Sequence, residues 1–246
     1  MDGLSLRRRI ALDIARSMRK SQEEEHPLRQ LFWECTLRCN LRCQHCGSDC
    51  KQVAATPDMP KEDFFKVLDS IAAKTDPHKV FVIISGGEPT MRADLEECGK
   101  GIYSRGFPWG MVTNGFGMTA ERFSRLLGAG LHSMTVSLDG LEENHDWLRG
   151  REGSFTRAAE TIRMAVRSGI AFDVVTCVNR RNYSQLPQLK EFLIGLGLKE
   201  WRLFSIFPQG RAALNPDLQL PPEMFRGMLD FIKETRKEGR IKASYG

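Results

Sequence analysis

From residue 31 onward, short apolar runs rich in β-branched and aromatic residues alternate with segments whose apolar positions recur every three or four residues. The runs are Leu31–Thr36, Val80–Ser85, Trp109–Thr113, Ser133–Leu138, Phe172–Val178 and Trp201–Phe207. Each reads as a parallel strand buried on both faces. Between them, Phe64, Phe65, Leu68, Ile71 and Ala72 form one helical stripe behind Pro60, and Asp94 and Glu96 favour the positive end of the next helix. Thr119 caps a third helix carrying Phe123, Leu126 and Leu127, and Ser154 caps a fourth carrying Phe155, Ala158, Ala159, Ile162 and Val166. Leu186, Leu189, Leu193 and Leu196 mark the fifth, and Phe225, Met228, Leu229 and Ile232 the sixth. The order is (βα)6.

Repeated βα units build either an open doubly wound sheet or a barrel. Polar or glycine-bearing tails follow four strands, at Ser85–Glu88, Thr113–Gly115, Ser137–Gly140 and Val178–Asn179, which is where βα barrels carry their sites. The predicted class is therefore α/β, a partial (β/α)6 TIM-type barrel with a preceding N-terminal helix. A closed barrel needs eight strands, so residues 31–246 form either a native partial barrel or one that continues into a C-terminal domain. Residues 1–30 read as a basic amphipathic helix and a lead-in. Within residues 4–20, Leu6, Ile10, Ile14 and Met18 recur at four-residue intervals among Arg7, Arg8, Arg9, Arg16, Arg19 and Lys20. Such a helix either makes peripheral contact with an anionic membrane or acidic partner, or packs across the bottom of the barrel.

Composition changes this picture little. With 246 residues, 41% hydrophobic and 27% charged, the chain is ordinary globular material, and its net charge of +5 is spread over many helix faces. Nucleic acid is not implied. The longest purely apolar run, Val80–Ile84, is far too short to span a bilayer, and no secretory signal is evident near the N-terminus. The expected location is the cytoplasm.

Cysteine changes it more. Five of the seven cysteines, Cys35, Cys39, Cys43, Cys46 and Cys50, fall in one short stretch, a clustering that favours metal or cluster ligation over a disulfide framework. Immediately after the first strand, CNLRCQHC places Cys39, Cys43 and Cys46 where three thiolates converge. One alternative is structural zinc with Cys50 as fourth ligand, but the gaps match no common zinc spacing, and zinc leaves Gly86-Gly87-Glu88-Pro89 unexplained. Cys50 is then spare, or else a surface thiol or a substrate-side acid. Cys35, Cys98 and Cys177 are simplest as small buried hydrophobes.

The CxxxCxxC loop followed by GGEP at the next strand end resembles the radical S-adenosylmethionine (SAM) superfamily. The resemblance runs from about Leu31 to Ala213 and includes Thr113-Asn114-Gly115, Ser137-Leu138-Asp139-Gly140 and Gly210-Arg211-Ala212. It looks most like the maturase-type enzymes that act on peptides or proteins and usually carry a cysteine-rich SPASM extension. No cysteine follows Cys177, so these residues supply no ligands for auxiliary clusters.

The resemblance implies that Cys39, Cys43 and Cys46 hold a four-iron, four-sulfur (4Fe-4S) cluster whose open iron binds SAM, and that reductive cleavage yields a 5′-deoxyadenosyl radical. It implies an external electron donor such as flavodoxin or ferredoxin, and a peptide or protein substrate. Gly86 and Gly87 would let the backbone approach SAM, and Glu88 would accept from its ammonium. Asn114, Ser137 and Asp139 would contact the ribose or methionine carboxylate, unless Asp139 only shapes the turn at Gly140. Arg149 would take that carboxylate or pair with a surface carboxylate. His45 would lie beside adenine or in solvent, with Val175 and Cys177 near the same pocket. Two rivals are small-molecule radical chemistry in cofactor biosynthesis, and a non-catalytic cluster- or zinc-binding scaffold.

Overall fold

The computed structural model describes residues 5–246. Seven strands form one parallel sheet, each paired with its sequence neighbours: β1 (Gln30–Thr36), β2 (Phe81–Gly86), β3 (Trp109–Thr113), β4 (Leu131–Ser137), β5 (Ala171–Val178), β6 (Glu200–Ser205) and β7 (Lys242–Tyr245). The sheet runs from β1 at one edge to β7 at the other, so the barrel is open. The expected partial βα barrel is what the chain forms. The count of six strands falls short by one, because Glu200, Trp201, Arg202 and Leu203 of β6 pair with Lys242, Ala243, Ser244 and Tyr245. KASY holds no continuous apolar run, and only Ala243 of β7 is buried, so its strand character comes from the β6 edge that it covers.

The helices are α1 (Leu6–Glu25), α2 (Lys61–Ala72), α3 (Leu95–Tyr103), α4 (Ala120–Gly128), α5 (Glu142–Arg149), α6 (Ser154–Ser168), α7 (Leu186–Gly195) and α8 (Pro222–Glu238). α5 is the one helix of residues 31–246 that the apolar rhythm does not announce: its sequence, EENHDWLR, is mostly polar, and it serves the site. Thr119 caps α4 as expected, its Oγ1 accepting from Arg122 N–H at 3.1 Å. Ser154 does not cap α6. Asp146 reaches over from α5 and accepts from the N–H groups of Gly153 and Phe155 at 2.6 and 2.7 Å, and from the Ser154 hydroxyl at 2.8 Å.

Between sheet and helices lies one core in which Trp109, Trp201, Ile84, Met111, Val136, Val174 and Leu203 meet helix residues such as Leu68, Ile102, Leu126 and Ile162. Loss of solvent from these side chains fixes the sheet's curvature, and with it where the strand ends point. α1 takes no part. Every described side chain of α1 is exposed, so it does not pack across the bottom of the barrel; Leu4 lies outside the described residues. Among the described residues, no helix is long and apolar enough to cross a membrane.

Candidate active site

The loop after β1 has almost no regular structure, so its backbone groups need partners elsewhere. They find them on segments far apart in sequence. Cys39 N–H donates to Lys51 C=O at 2.8 Å, Arg42 N–H to Arg149 C=O at 3.2 Å and Gln44 N–H to Leu148 C=O at 2.8 Å. Arg211 closes the other side: its N–H donates to Cys46 C=O at 2.9 Å, Nε to Cys43 C=O at 2.7 Å and Nη1 to Cys50 C=O at 3.1 Å. The three-cysteine loop is thus held against the end of α5 and the segment after β6.

The GGEP segment supports the same loop from beneath. Gly87 N–H donates to Thr36 C=O at 2.7 Å and Glu88 N–H to Arg38 C=O at 2.9 Å. Gly86 has φ +123°, and a Cβ there would lie 2.3 Å from the Thr36 carbonyl oxygen; at Gly87 it would lie 2.3 Å from that of Arg38. Both glycines are required by the approach of the cysteine loop's own backbone. Glu88 is buried. Its Oε1 accepts from Thr90 N–H (3.2 Å), Thr90 Oγ1 (2.7 Å) and Thr113 Oγ1 (2.8 Å), and its Oε2 from Asn114 N–H (2.7 Å). Asn114 in turn places Nδ2 2.8 Å from Asn40 Oδ1 and 3.9 Å from Cys39 Sγ.

A buried polar group sits behind the loop. Arg149, near the end of α5, pairs with Asp139 (Nε to Oδ2 2.6 Å), and its Nη1 lies 3.8 Å from Cys43 Sγ. Burial alone would raise the Asp139 carboxyl, but the Arg149 guanidinium overrides it and holds the group below its usual range. Asp139 also accepts from Cys177 N–H at 2.8 Å, while its own N–H donates to His145 Nδ1 at 2.9 Å and its C=O accepts from Asn182 Nδ2 at 2.5 Å. His145 and Arg149 stand four residues apart on α5, hence on one face. Burial lowers both His45 and His145 to about 4, so each is a neutral imidazole. His45, Asp139 and Cys177 bring potential ligand atoms within 4.8 Å of one another, but Arg149 already neutralises the only carboxylate among them.

Cys39, Cys43, Cys46, Cys50, His45, Gly86, Gly87, Glu88, Asn114, Ser137 and Arg149 line one cavity at the C-terminal ends of the strands. Asp139 is fully buried behind that wall and does not line the cavity, standing behind Arg149 and His45, which do. Cys177 packs beside Leu148 and Ile206, with its thiol pushed up to about 12 by burial. His145 and Asn182, which brace Asp139, carry no signal in the sequence beyond the fourfold spacing of His145 and Arg149.

The donor set fits the implied group. Three thiols converge with Cys50 beside them, none in a disulfide, and the adjoining wall offers a carboxylate, an amide and a hydroxyl suited to an ammonium and sugar hydroxyls. Burial pushes the Cys39 thiol up to about 12, raises that of Cys43 and pushes Cys50 up to about 11, so cation binding must displace protons.

The chain is 29% identical over 215 residues to an AdoMet-dependent heme synthase of Methanosarcina barkeri, covering 87% of this chain and 60% of that protein. It is 26% identical over 217 residues to a PqqA peptide cyclase of Rhizobium meliloti, covering 88% and 56%. The chain thus spans somewhat over half the length of these relatives. In fold it matches Streptococcus suis SuiB bound to S-adenosylmethionine with a TM-score of 0.72, at 14% identity, over 100% of this chain and 57% of that one. Residues 33–193, which contain the cysteine loop, GGEP and the Asp139–Arg149 pair, match the family's own sequence pattern, and the chain belongs to the radical SAM superfamily, whose cofactors are a 4Fe-4S cluster and SAM.

Proposed function

We propose that this chain is the catalytic core of an enzyme that abstracts a hydrogen atom from a peptide or protein side chain. The observation that carries the radical chemistry is the cavity itself, where three convergent thiols share one wall with Glu88, Asn114 and Ser137. Cys39, Cys43 and Cys46 would hold the cluster, which together with SAM supplies an organic radical when bound. Glu88 would orient the SAM ammonium, Asn114 and Ser137 its hydroxyls or carboxylate, and neutral His45 would flank the adenine. Arg149 keeps a cation beside Cys43 and stabilises that thiolate. An intact polar wall speaks against a scaffold that has lost catalysis.

The peptide reading draws on two supports: the similarity to PqqA peptide cyclase, and the open side of the sheet between β1 and β7, which gives an extended chain lateral access. The similarity to a heme synthase favours a second reading, a tetrapyrrole or similar small molecule. Seven free cysteines suit a reducing compartment such as the cytoplasm, with flavodoxin or ferredoxin as electron donor. The test reconstitutes the protein without oxygen, adds dithionite and SAM, and follows 5′-deoxyadenosine together with the masses of a candidate peptide and an iron coproporphyrin. 5′-Deoxyadenosine with a mass change confined to the peptide is expected. Change confined to the porphyrin would replace the peptide reading, and absence of SAM cleavage would remove the enzyme assignment.

Glu88→Gln tests the ammonium contact. The carboxylate faces backbone donors on both oxygens, so either orientation of the amide turns an NH2 toward an N–H group. Loss of a charge-assisted bond is expected to weaken SAM binding by roughly ten- to hundredfold while cluster iron stays at the parent level. Calorimetry of the loaded protein reads this directly. Equal affinity in variant and parent would take Glu88 out of the SAM site.

A further inference from the structure

We propose that α1 is an interfacial helix that seats this chain on an anionic lipid surface. At 100° per residue, Leu6, Ile10, Ile14 and Met18 fall within a sector of about 120°. Arg8, Arg9, Arg16, Arg19 and Lys20 fall within a second sector of about the same width on the opposite side. Arg7 falls inside the apolar sector, between Ile14 and Met18, where a long stem lets its charge reach outward, and Leu12 is the one large apolar residue in the basic sector. The six cations of α1 lie within residues 6–20 with one carboxylate, Asp13, among them, and the helix ends on Glu23, Glu24 and Glu25.

Among the described residues nothing covers this stripe. Leu6, Ile10, Ile14 and Met18 are 73, 51, 56 and 60% exposed. An amphipathic helix in a globular protein ordinarily turns its apolar stripe to a core, and α1 turns it to solvent. Two ion pairs of the basic face, Arg16 with Asp13 at 3.3 Å and Arg19 with Glu23 at 3.9 Å, are exposed and weak, so Arg16 and Arg19 can exchange these partners for other anions.

Charge selects the occupant. A second copy packed stripe to stripe would cover the apolar residues but leave the basic sector, on the opposite side, without counter-charge. An anionic bilayer takes both features at once: the stripe enters the acyl boundary while the arginines meet headgroup phosphates, the arrangement of helices that lie in a membrane interface. The helix is too short of apolar residues to span, so it lies along the surface. Its chain continues into Gln30, at the N-terminal end of β1, whereas the cavity opens at the opposite end of the strands. Docking through α1 therefore leaves the cavity mouth accessible to substrate.

The experiment is co-sedimentation of the chain with vesicles of phosphatidylcholine alone, or of phosphatidylcholine mixed with phosphatidylglycerol, at low and high salt. The parent is expected to bind the mixed vesicles, to ignore phosphatidylcholine alone, and to be released by salt. Changing Arg8, Arg9 and Arg16 together to Gln should weaken binding on the order of a hundredfold, at roughly fivefold per cation. Ile10→Asp with Ile14→Asp should abolish it. Both variants should keep the parent's SAM cleavage, since α1 is outside the site. Equal binding to both vesicle types, binding indifferent to these substitutions, or α1-dependent self-association without vesicle affinity would overturn the proposal.

Discussion

Arg149→Met is expected to destabilise the cluster-free protein by about 3–5 kcal/mol, one of the two largest effects of a change in this site. The guanidinium is 9% exposed and its partner Asp139 is 0% exposed, so the substitution leaves a carboxylate in the interior with no cation. The bonds from Cys177 N–H and to His145 orient Asp139 without neutralising it. With Arg149 present, the folded-state pKa of Asp139 lies below its unfolded value. The pair's contribution is therefore fully present above the unfolded pKa and fades as pH falls through the folded one. In the variant the balance reverts to burial, which raises the folded pKa, so the penalty grows as pH rises from the acid range toward neutrality. Denaturant unfolding at several pH values should show parent and variant converging in acid and diverging above it. The double variant Arg149→Met with Asp139→Leu should recover much of the loss, because a buried apolar pair costs less than an orphaned charge. A gap that is constant with pH would mean that Arg149 acts by packing alone.

That pair also shows where sequence reasoning stops. The cysteine loop, GGEP, Asn114 and Ser137 sit at strand ends, and strand ends follow from apolar runs, so their convergence on one cavity is legible from the order of elements. The partner that Arg149 would choose is not. α5 is polar almost throughout, and its fourfold spacing puts His145 with Arg149 and Asn144 with Leu148 on one face without saying that this face turns inward while Glu142 and Glu143 stay in solvent. The seventh strand is hidden for the opposite reason, since pairing with an existing edge makes a strand of residues with little strand character of their own. Gly86 and Gly87 line the cavity, and the sequence does not show that a Cβ at either would also meet backbone, the carbonyl of Thr36 at the end of β1 or that of Arg38 in the cysteine loop. The α1 stripe is plain in the sequence, yet only the fold shows that no helix or strand of the barrel covers it.

Changing Cys39, Cys43 and Cys46 together to Ala is expected to remove all cluster iron from anaerobically reconstituted protein, against about four irons per chain in the parent. Cys50→Ser is expected to keep the full complement. The contrast follows from position. All four cysteines line the cavity, but Cys50 stands outside the CxxxCxxC spacing, and under the proposed assignment Cys39, Cys43 and Cys46 would complete the protein's share of a site that leaves one iron for SAM. Structural zinc would reverse the outcome: a closed tetrahedron needs Cys50, so Cys50→Ser would then lose the metal. Protons supply an independent readout. Burial pushes the Cys39 thiol up to about 12 and raises that of Cys43 above its ordinary value, so the apoprotein holds these thiols protonated at neutral pH. Ligation must displace those protons, and iron uptake by the apoprotein should therefore strengthen as pH rises and weaken as it falls. Iron and sulfide analysis of the parent, the triple variant and Cys50→Ser at several pH values tests both expectations. Full iron in the triple variant would show that the cluster is held elsewhere. Uptake that is flat with pH would show that the thiols are already ionised before the metal arrives.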